Sequence, residues 1–495
     1  MKPTQLATLA LLFVMTGTVN ANPFKGLGKG LRDATENIGD AFGGGSRKQS
    51  PPPQPEPVRA TRTAPSPEAE IVVTRPAPAY LTMEPAGKIE AAATLDIGVN
   101  LFTYAPETVI GPADEALIAA QAREGKRVFL VNKVPEAIRE VESYALPVML
   151  RDQLLASGQF QTVSLRPGAT ETHDVVVDGR IRKSIGNHLI LRLTARDASG
   201  REWFSYDYEA EASEADYLET PPDPYAKALV EFTHSLLNMA RRKADEVAEL
   251  ARVADVKYAA DLAPEVFAEY LEADGFGRAR LLGMPSPDDT FWKFAMRCRD
   301  EEHRIIADDF GPFYSESHAG VYQSYSAWRR EYGASVEAYG RLMEEHERAV
   351  KAAEREGWMK KGIGVLGGVI TGEDPEDILR REAAELMVNS VQVGEDGNFY
   401  FDMNEGLQKE YPELRRRYEV AQAKEAEAGE QHAYMTAQSE AFESHAESIN
   451  VELFDATLEL EGSVDKQFAA LRAKLVEVYE RETGGIRTAT TARLD

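Results

Sequence analysis

The side chains from which a catalytic or metal site would have to be built are one cysteine, Cys298, eight histidines and 82 acids. Asp300-Glu301-Glu302-His303 and Glu344-Glu345-His346 bring carboxylate and imidazole within a few residues of each other. Helical zinc sites need ligands one turn apart on a single face, as in His-Glu-x-x-His, and the sequence has no such motif. An acidic chain with many charged helix faces produces these neighbours by composition alone. Asp300 and His303 are the best-placed pair, and they fall short of a metal site. Cys298 closes the apolar helical pattern that runs from Phe291, which predicts a buried, inert thiol. There is no Gly-x-Ser-x-Gly elbow for a nucleophile, and no carboxylate pair for glycosidic cleavage stands out among so many acids.

Gly362-Ile363-Gly364-Val365-Leu366-Gly367 matches the dinucleotide fingerprint letter for letter, but that motif works only between a strand and a helix. Here the helical, lysine-containing Trp358-Met359-Lys360-Lys361 precedes it. Gly364, Gly368 and Gly372, four apart, are better suited to close helix packing. Trp328-Arg329-Arg330 and Arg415-Arg416-Arg417 read as solvated helix faces, with anion or partner contact as the alternative. The expectation is no catalytic residue, no cofactor and no metal.

Charge and address restrict the partners. With 56 basic against 82 acidic residues the net charge is −26, which repels nucleic-acid phosphates, and no basic patch of useful size interrupts it. Lys2, the apolar run from Leu6 to Met15 and the small residues of Val19-Asn20-Ala21 predict a signal peptide over 1–21, cleaved after Ala21. The run is too short to span a bilayer, which takes about 20 apolar residues. The expected location is periplasmic or secreted. Residues 22–42 then read as an amphipathic arm. Within it Phe24, Leu27, Leu31, Ala34, Ile38 and Phe42 recur at helical spacing over 23–42, a surface for membrane or partner contact. Residues 43–89 are a Pro-rich linker containing Pro51-Pro52-Pro53-Gln54-Pro55-Glu56-Pro57, which cannot build a core.

The remainder predicts an α+β fold, a small mixed-sheet module over 90–255 followed by a mainly helical region over 256–484. Helical periodicity covers 136–157, with Gly158 placed to end the helix and Pro147 predicting a start or kink. Asp174–Arg182, His188–Arg196 and Arg201–Ala210 alternate as strands, the last two joined by the turn Asp197-Ala198-Ser199-Gly200. One helix is expected from Tyr225 to Arg252. Further helices are expected at 288–310, 316–358, 374–392 and 405–449, then a strand over Ala456–Glu461 and a helix over Val464–Glu482. Residues 485–495 read as a disordered tail.

The order of Leu146-Pro147-Val148-Met149-Leu150-Arg151-Asp152-Gln153-Leu154-Leu155-Ala156-Ser157-Gly158, then Asp178-Gly179-Arg180-Ile181, then the hairpin, resembles a module of bacterial envelope proteins. These are auxiliary lipoproteins of ABC-type transporters, the curli-secretion lipoprotein and the amino-terminal domain of the Tol-system propeller protein. The whole chain is similar to exported proteobacterial proteins of unassigned function. It differs from the module's families in having no lipid-bearing cysteine after the signal and no propeller. The resemblance implies a non-catalytic envelope accessory or assembly role, with a cell-envelope protein or complex as partner. The alternatives are an exported hydrolase using carboxylates, or a secreted effector.

Overall fold

Period-two alternation carries directly into the main sheet of the computed structural model. The structure describes residues 90–484 apart from 91, 125, 131, 169–172, 219–221, 364–390, 394–398, 403–411, 446–447 and 455. The cleavage site at Ala21, the arm, the linker and the tail lie outside the described residues. The chain is α+β. Strands β1 (Asp96–Asn100), β2 (Thr103–Tyr104), β4 (Thr162–Arg166), β5 (Val175–Ser184), β6 (His188–Asp197) and β7 (Glu202–Glu211) form one mixed sheet. Its order is β4-β1-β5-β6-β7, with β2 beside β5. The pairings among β4, β1, β2 and β5 are parallel, and those from β5 to β7 are antiparallel.

One face carries Ile97, Val99, Val175, Val177, Ile181, Leu189, Leu191, Leu193 and Ala195, all buried. Two helices cover it, α2 (Glu136–Ala156) and α3 (Ala226–Arg242). Helix α2 covers nearly all of the expected 136–157, and Pro147 lies inside it, eleven residues after its start. A proline cannot donate to the carbonyl four residues back. That carbonyl, on Ser143, instead accepts from the backbone N–H of Phe102 at 2.9 Å. Gly158 ends the helix region with φ of +62°, a conformation that favours glycine.

The single helix expected over Tyr225–Arg252 is two, α3 and α4 (Val247–Leu262), because the chain turns at Lys243–Glu246. Glu246 is held there by Lys243 and by Arg201 from the β6–β7 hairpin. Before α2, helix α1 (Pro112–Arg123) leads into β3 (Lys126–Phe129). Strand β3 pairs with β11 (Phe399–Asp402), which pairs with β10 (Val391–Val393). Two hairpins, β8–β9 (Leu271–Ala273, Ala279–Leu281) and β12–β13 (Ser448–Leu453, Ala456–Glu461), complete the strands described.

The long helices of the second half among the described residues are α5 (Thr290–Ile305), α6 (Gly311–Ile363), α7 (Pro412–His445) and α8 (Val464–Glu482). The helix expected at 374–392 lies outside the described residues up to position 390, and Val391 and Gln392 belong to β10. Asp289 caps α5 by accepting from the Phe291 N–H at 2.7 Å, and a π turn, Ile306–Phe310, joins α5 to α6. Helical spacing was expected to run to residue 449, but Ser448 already belongs to β12, paired to the strand anticipated at Ala456–Glu461.

Two large cores result, and the first draws on residues from both sides of position 255. The first joins the sheet, α2 and α3 to Tyr314, Val321, Tyr325 and Trp328 of α6 and to Ala428 and Met435 of α7. The second packs Val256, Tyr258 and Phe267 with Trp292, Cys298, Phe310, Val451, Phe468, Leu471 and Tyr479. Among the described residues no helix is long and apolar enough to cross a membrane.

Candidate docking face and buried polar clusters

The face of the β5–β6–β7 sheet that looks away from α2 and α3 is polar. Directly paired residues share a face, so the couples Arg180–Arg192, Asp178–Thr194, Arg192–Asp207 and Thr194–Ser205 all lie on it. Arg192 donates to both oxygens of Asp207 at 2.6 Å, and Arg182 joins the same carboxylate at 2.6 Å. These guanidinium bonds hold the Asp207 carboxyl below its ordinary range, against a smaller opposing effect of burial. Asp178 accepts from Asn100 at 2.7 Å and from Arg196 at 3.2 Å. Arg180, Arg182 and Arg196 are exposed. The sheet thus gathers four arginines that are scattered along an acidic sequence. Strand β7 is its open edge, paired among the described residues to β6 alone.

Two buried ionic clusters fasten α6 to this module. In one, Glu142 of α2 accepts from Arg139 and from Ser184 Oγ at 2.5 Å each and from the Tyr325 hydroxyl at 3.1 Å. In the other, Arg329 Nη1 and Nη2 grip Asp223 at 2.9 and 2.5 Å. Three tyrosine rings, Tyr217, Tyr225 and Tyr325, surround the same guanidinium at 5.2, 4.5 and 4.4 Å. Burial alone would raise the Asp223 carboxyl, but Arg329 outweighs it and the group titrates below its usual value. Trp328 and Arg329, read from sequence as a solvated face, are therefore core residues, and Arg330 pairs with Glu331. The helix approaches so closely that Gly333 touches the β5–β6 turn, where a Cβ would lie 2.7 Å from the Asn187 nitrogen. A third cluster, Arg472 with Glu302 and Tyr258, ties α8 to α5 and α4.

Where the sheet's polar face passes under α5, it carries the group nearest to catalytic geometry. Ser164 Oγ lies 2.7 Å from His173 Nε2, and the His173 and His303 rings stack with centroids 4.9 Å apart. Gly98 leaves room for the buried side chains of Arg166 and His173. Burial, reinforced by the arginines, lowers both imidazoles, His303 to about 4. Burial raises the Asp174 carboxyl to about 7, and that carboxylate accepts from the Asp96 backbone at 3.0 Å. With His173 only 2 % exposed, these groups sit in the packing between sheet and helix.

Asp300 and His303, the best-placed pair in the sequence though short of a metal site, belong to no group of three potential metal ligands among the described residues. Asp300 instead pairs with Arg299 at 2.9 Å. One Glu-x-x-His spacing does occur, Glu231 to His234, but both side chains are exposed on α3. Cys298 is buried as expected, and burial pushes its thiol up to about 12. Glu344 pairs with Arg348 at 3.0 Å, and Arg416 is exposed. The Glu345 and His346 side chains lie outside the described residues. Gly362 and Ile363 close α6, while Gly364, Gly367, Gly368 and Gly372 also fall outside the described residues. What sequence reasoning missed is the Arg329–Asp223 pair and the Ser164–His173–His303 group, whose members are brought together only by folding. Neither a protein-family model, nor a curated protein, nor a solved structure matches this chain.

Proposed function

We propose that the protein is an exported, non-catalytic accessory or assembly factor of the cell envelope that works by binding another macromolecule through its sheet module. The observation that carries this reading is the open side of the module, a polar sheet face ending in the unpaired edge of β7. Sheet edges offer backbone donors and acceptors that a partner can satisfy. The order of helix, strands and hairpin that resembles envelope modules supports the same reading. Against the carboxylate-hydrolase alternative, Glu142, Asp223 and Glu302 are each engaged by an arginine, and buried Asp174 accepts from the Asp96 backbone within the packing.

Deleting residues 90–255 would be a poor test, since α6 and α7 would lose the core they share with the module. Photo-crosslinking in living cells from single positions on full-length protein avoids that. A probe at exposed Arg180 or half-buried Ser205 should capture a specific envelope protein, and one at Glu231, on the solvent side of α3, should not. Equal capture from both sides, or capture from neither, would sink the proposal.

A further inference from the structure

The chemistry of the partner segment can be read from the β7 edge, given the docking reading above. In an antiparallel ladder, residues alternate between facing their partner with both backbone groups and turning both away. Ala212 N donates to Asn187 O at 2.9 Å, in continuation of the His188–Glu211 register. The outward-turned positions are therefore Ser205, Asp207, Glu209 and Glu211. The register shift between Ala195 and Arg196 interrupts the ladder beyond Phe204, so this free edge spans about one peptide-length strand. The opposite edge of the sheet, β4, packs against the π turn before α6.

The side chains along this edge are selective. On the polar face Glu209 and Glu211 are exposed, while Asp207 is already neutralised by Arg182 and Arg192. His188 lies 3.7 Å from Glu209, and Lys183, 3.1 Å from the same imidazole, feels the charge of both glutamates. On the other face Tyr206 is 59 % exposed and stacks against buried Phe204 with centroids 5.7 Å apart, an apolar ledge at the rim of the core. A strand laid beside β7 would put its alternate side chains against glutamates on one face and against Tyr206 on the other. A net charge of −26 disfavours an acidic occupant, a second copy of this chain included.

We propose that the β7 edge accepts, as one more strand, an extended partner segment in which lysine or arginine alternates with aromatic or aliphatic residues. The exposed glutamates thus both discourage self-pairing and choose the partner.

The test uses the full chain on an array of ten-residue synthetic peptides of varied charge and alternation, with hydrogen exchange followed on the protein. The basic–apolar alternating peptides should bind best and slow exchange at the amides of Ser205, Asp207, Glu209 and Glu211. The Glu209→Lys/Glu211→Lys variant, altered only at exposed positions, should lose on the order of tenfold in affinity for them and shift toward acidic alternating peptides. Identical peptide preferences for the two proteins, protection elsewhere, or no binding would overturn the inference. If the Arg180 or Ser205 probes still capture an envelope protein in that event, docking through the module stands and only the strand-addition chemistry falls.

Discussion

Replacing Arg329 by methionine tests whether α6 is held by the ion pair or by apolar packing alone. The methionine fills much of the arginine stem's volume but leaves the Asp223 carboxylate buried against three tyrosine rings without its counter-charge. Breaking a fully buried pair from one side costs about 3–5 kcal/mol. The loss should depend on pH in a definite direction. In the native protein Asp223 titrates below its unfolded value, so its contribution is present above the ordinary carboxylate pKa and fades as pH falls through the folded pKa. In Arg329→Met the Tyr225 N–H and the Tyr322 hydroxyl still donate to Asp223, but the charge that outweighed burial is gone. Asp223 then takes up a proton more readily, and the penalty grows as pH rises above about 4. Urea unfolding should therefore show a large drop in midpoint at pH 7, with the slope unchanged, and a clearly smaller drop at pH 4.5. The Arg329→Met/Asp223→Leu double variant should recover much of the loss, because apolar residues of similar volume replace buried pairs at little cost. A single-variant loss under about 1 kcal/mol at pH 7, or an equal loss at both pH values, would refute the reasoning.

Asp174→Asn should raise the urea midpoint at pH 8 and leave it nearly unchanged at pH 3. The folded pKa is raised to about 7, so the group's stabilising effect is present below the unfolded value and is lost as pH rises through 7. Gly333→Ala should destabilise by about 1–3 kcal/mol in the same assay, because the added Cβ meets backbone at Asn187 rather than a side chain that can turn aside. A neutral effect would mean that α6 can shift along the β5–β6 turn. Amino-terminal sequencing of the protein recovered from the envelope fraction should begin at Asn22, and a mature species that retains Met1 would contradict the signal reading.

The parts of the fold legible in the sequence are those fixed by neighbours along the chain. The β6–β7 hairpin follows from alternation on either side of Asp197-Ala198-Ser199-Gly200, and α8 from Phe468, Leu471, Leu475 and Tyr479 on one face. Elements fixed by distant partners were not legible. Strand β3 is four residues long and is specified by β11, far along the chain, so no local pattern announces it. The same limit explains Arg329. Its neighbours in sequence read as a charged helix face, and only Asp223, 106 positions earlier, accounts for its burial. The candidate face was half legible, since alternation gave the strands and their polar sides. Pairing was needed to set Arg180, Arg182, Arg192 and Arg196 together.

The shared core sets a timetable for folding. The Tyr332 hydroxyl donates to the Lys133 carbonyl 199 positions away, and Met435 of α7 is buried in the same core as β1 and α2. A chain that emerges amino terminus first cannot close this core until nearly all of it is available. Until then the apolar faces of α2 and the sheet stay without part of their covering. Such late closure slows folding and leaves incomplete chains prone to association. It also keeps the growing polypeptide unfolded for longer, the state in which a chain can be threaded through a narrow channel.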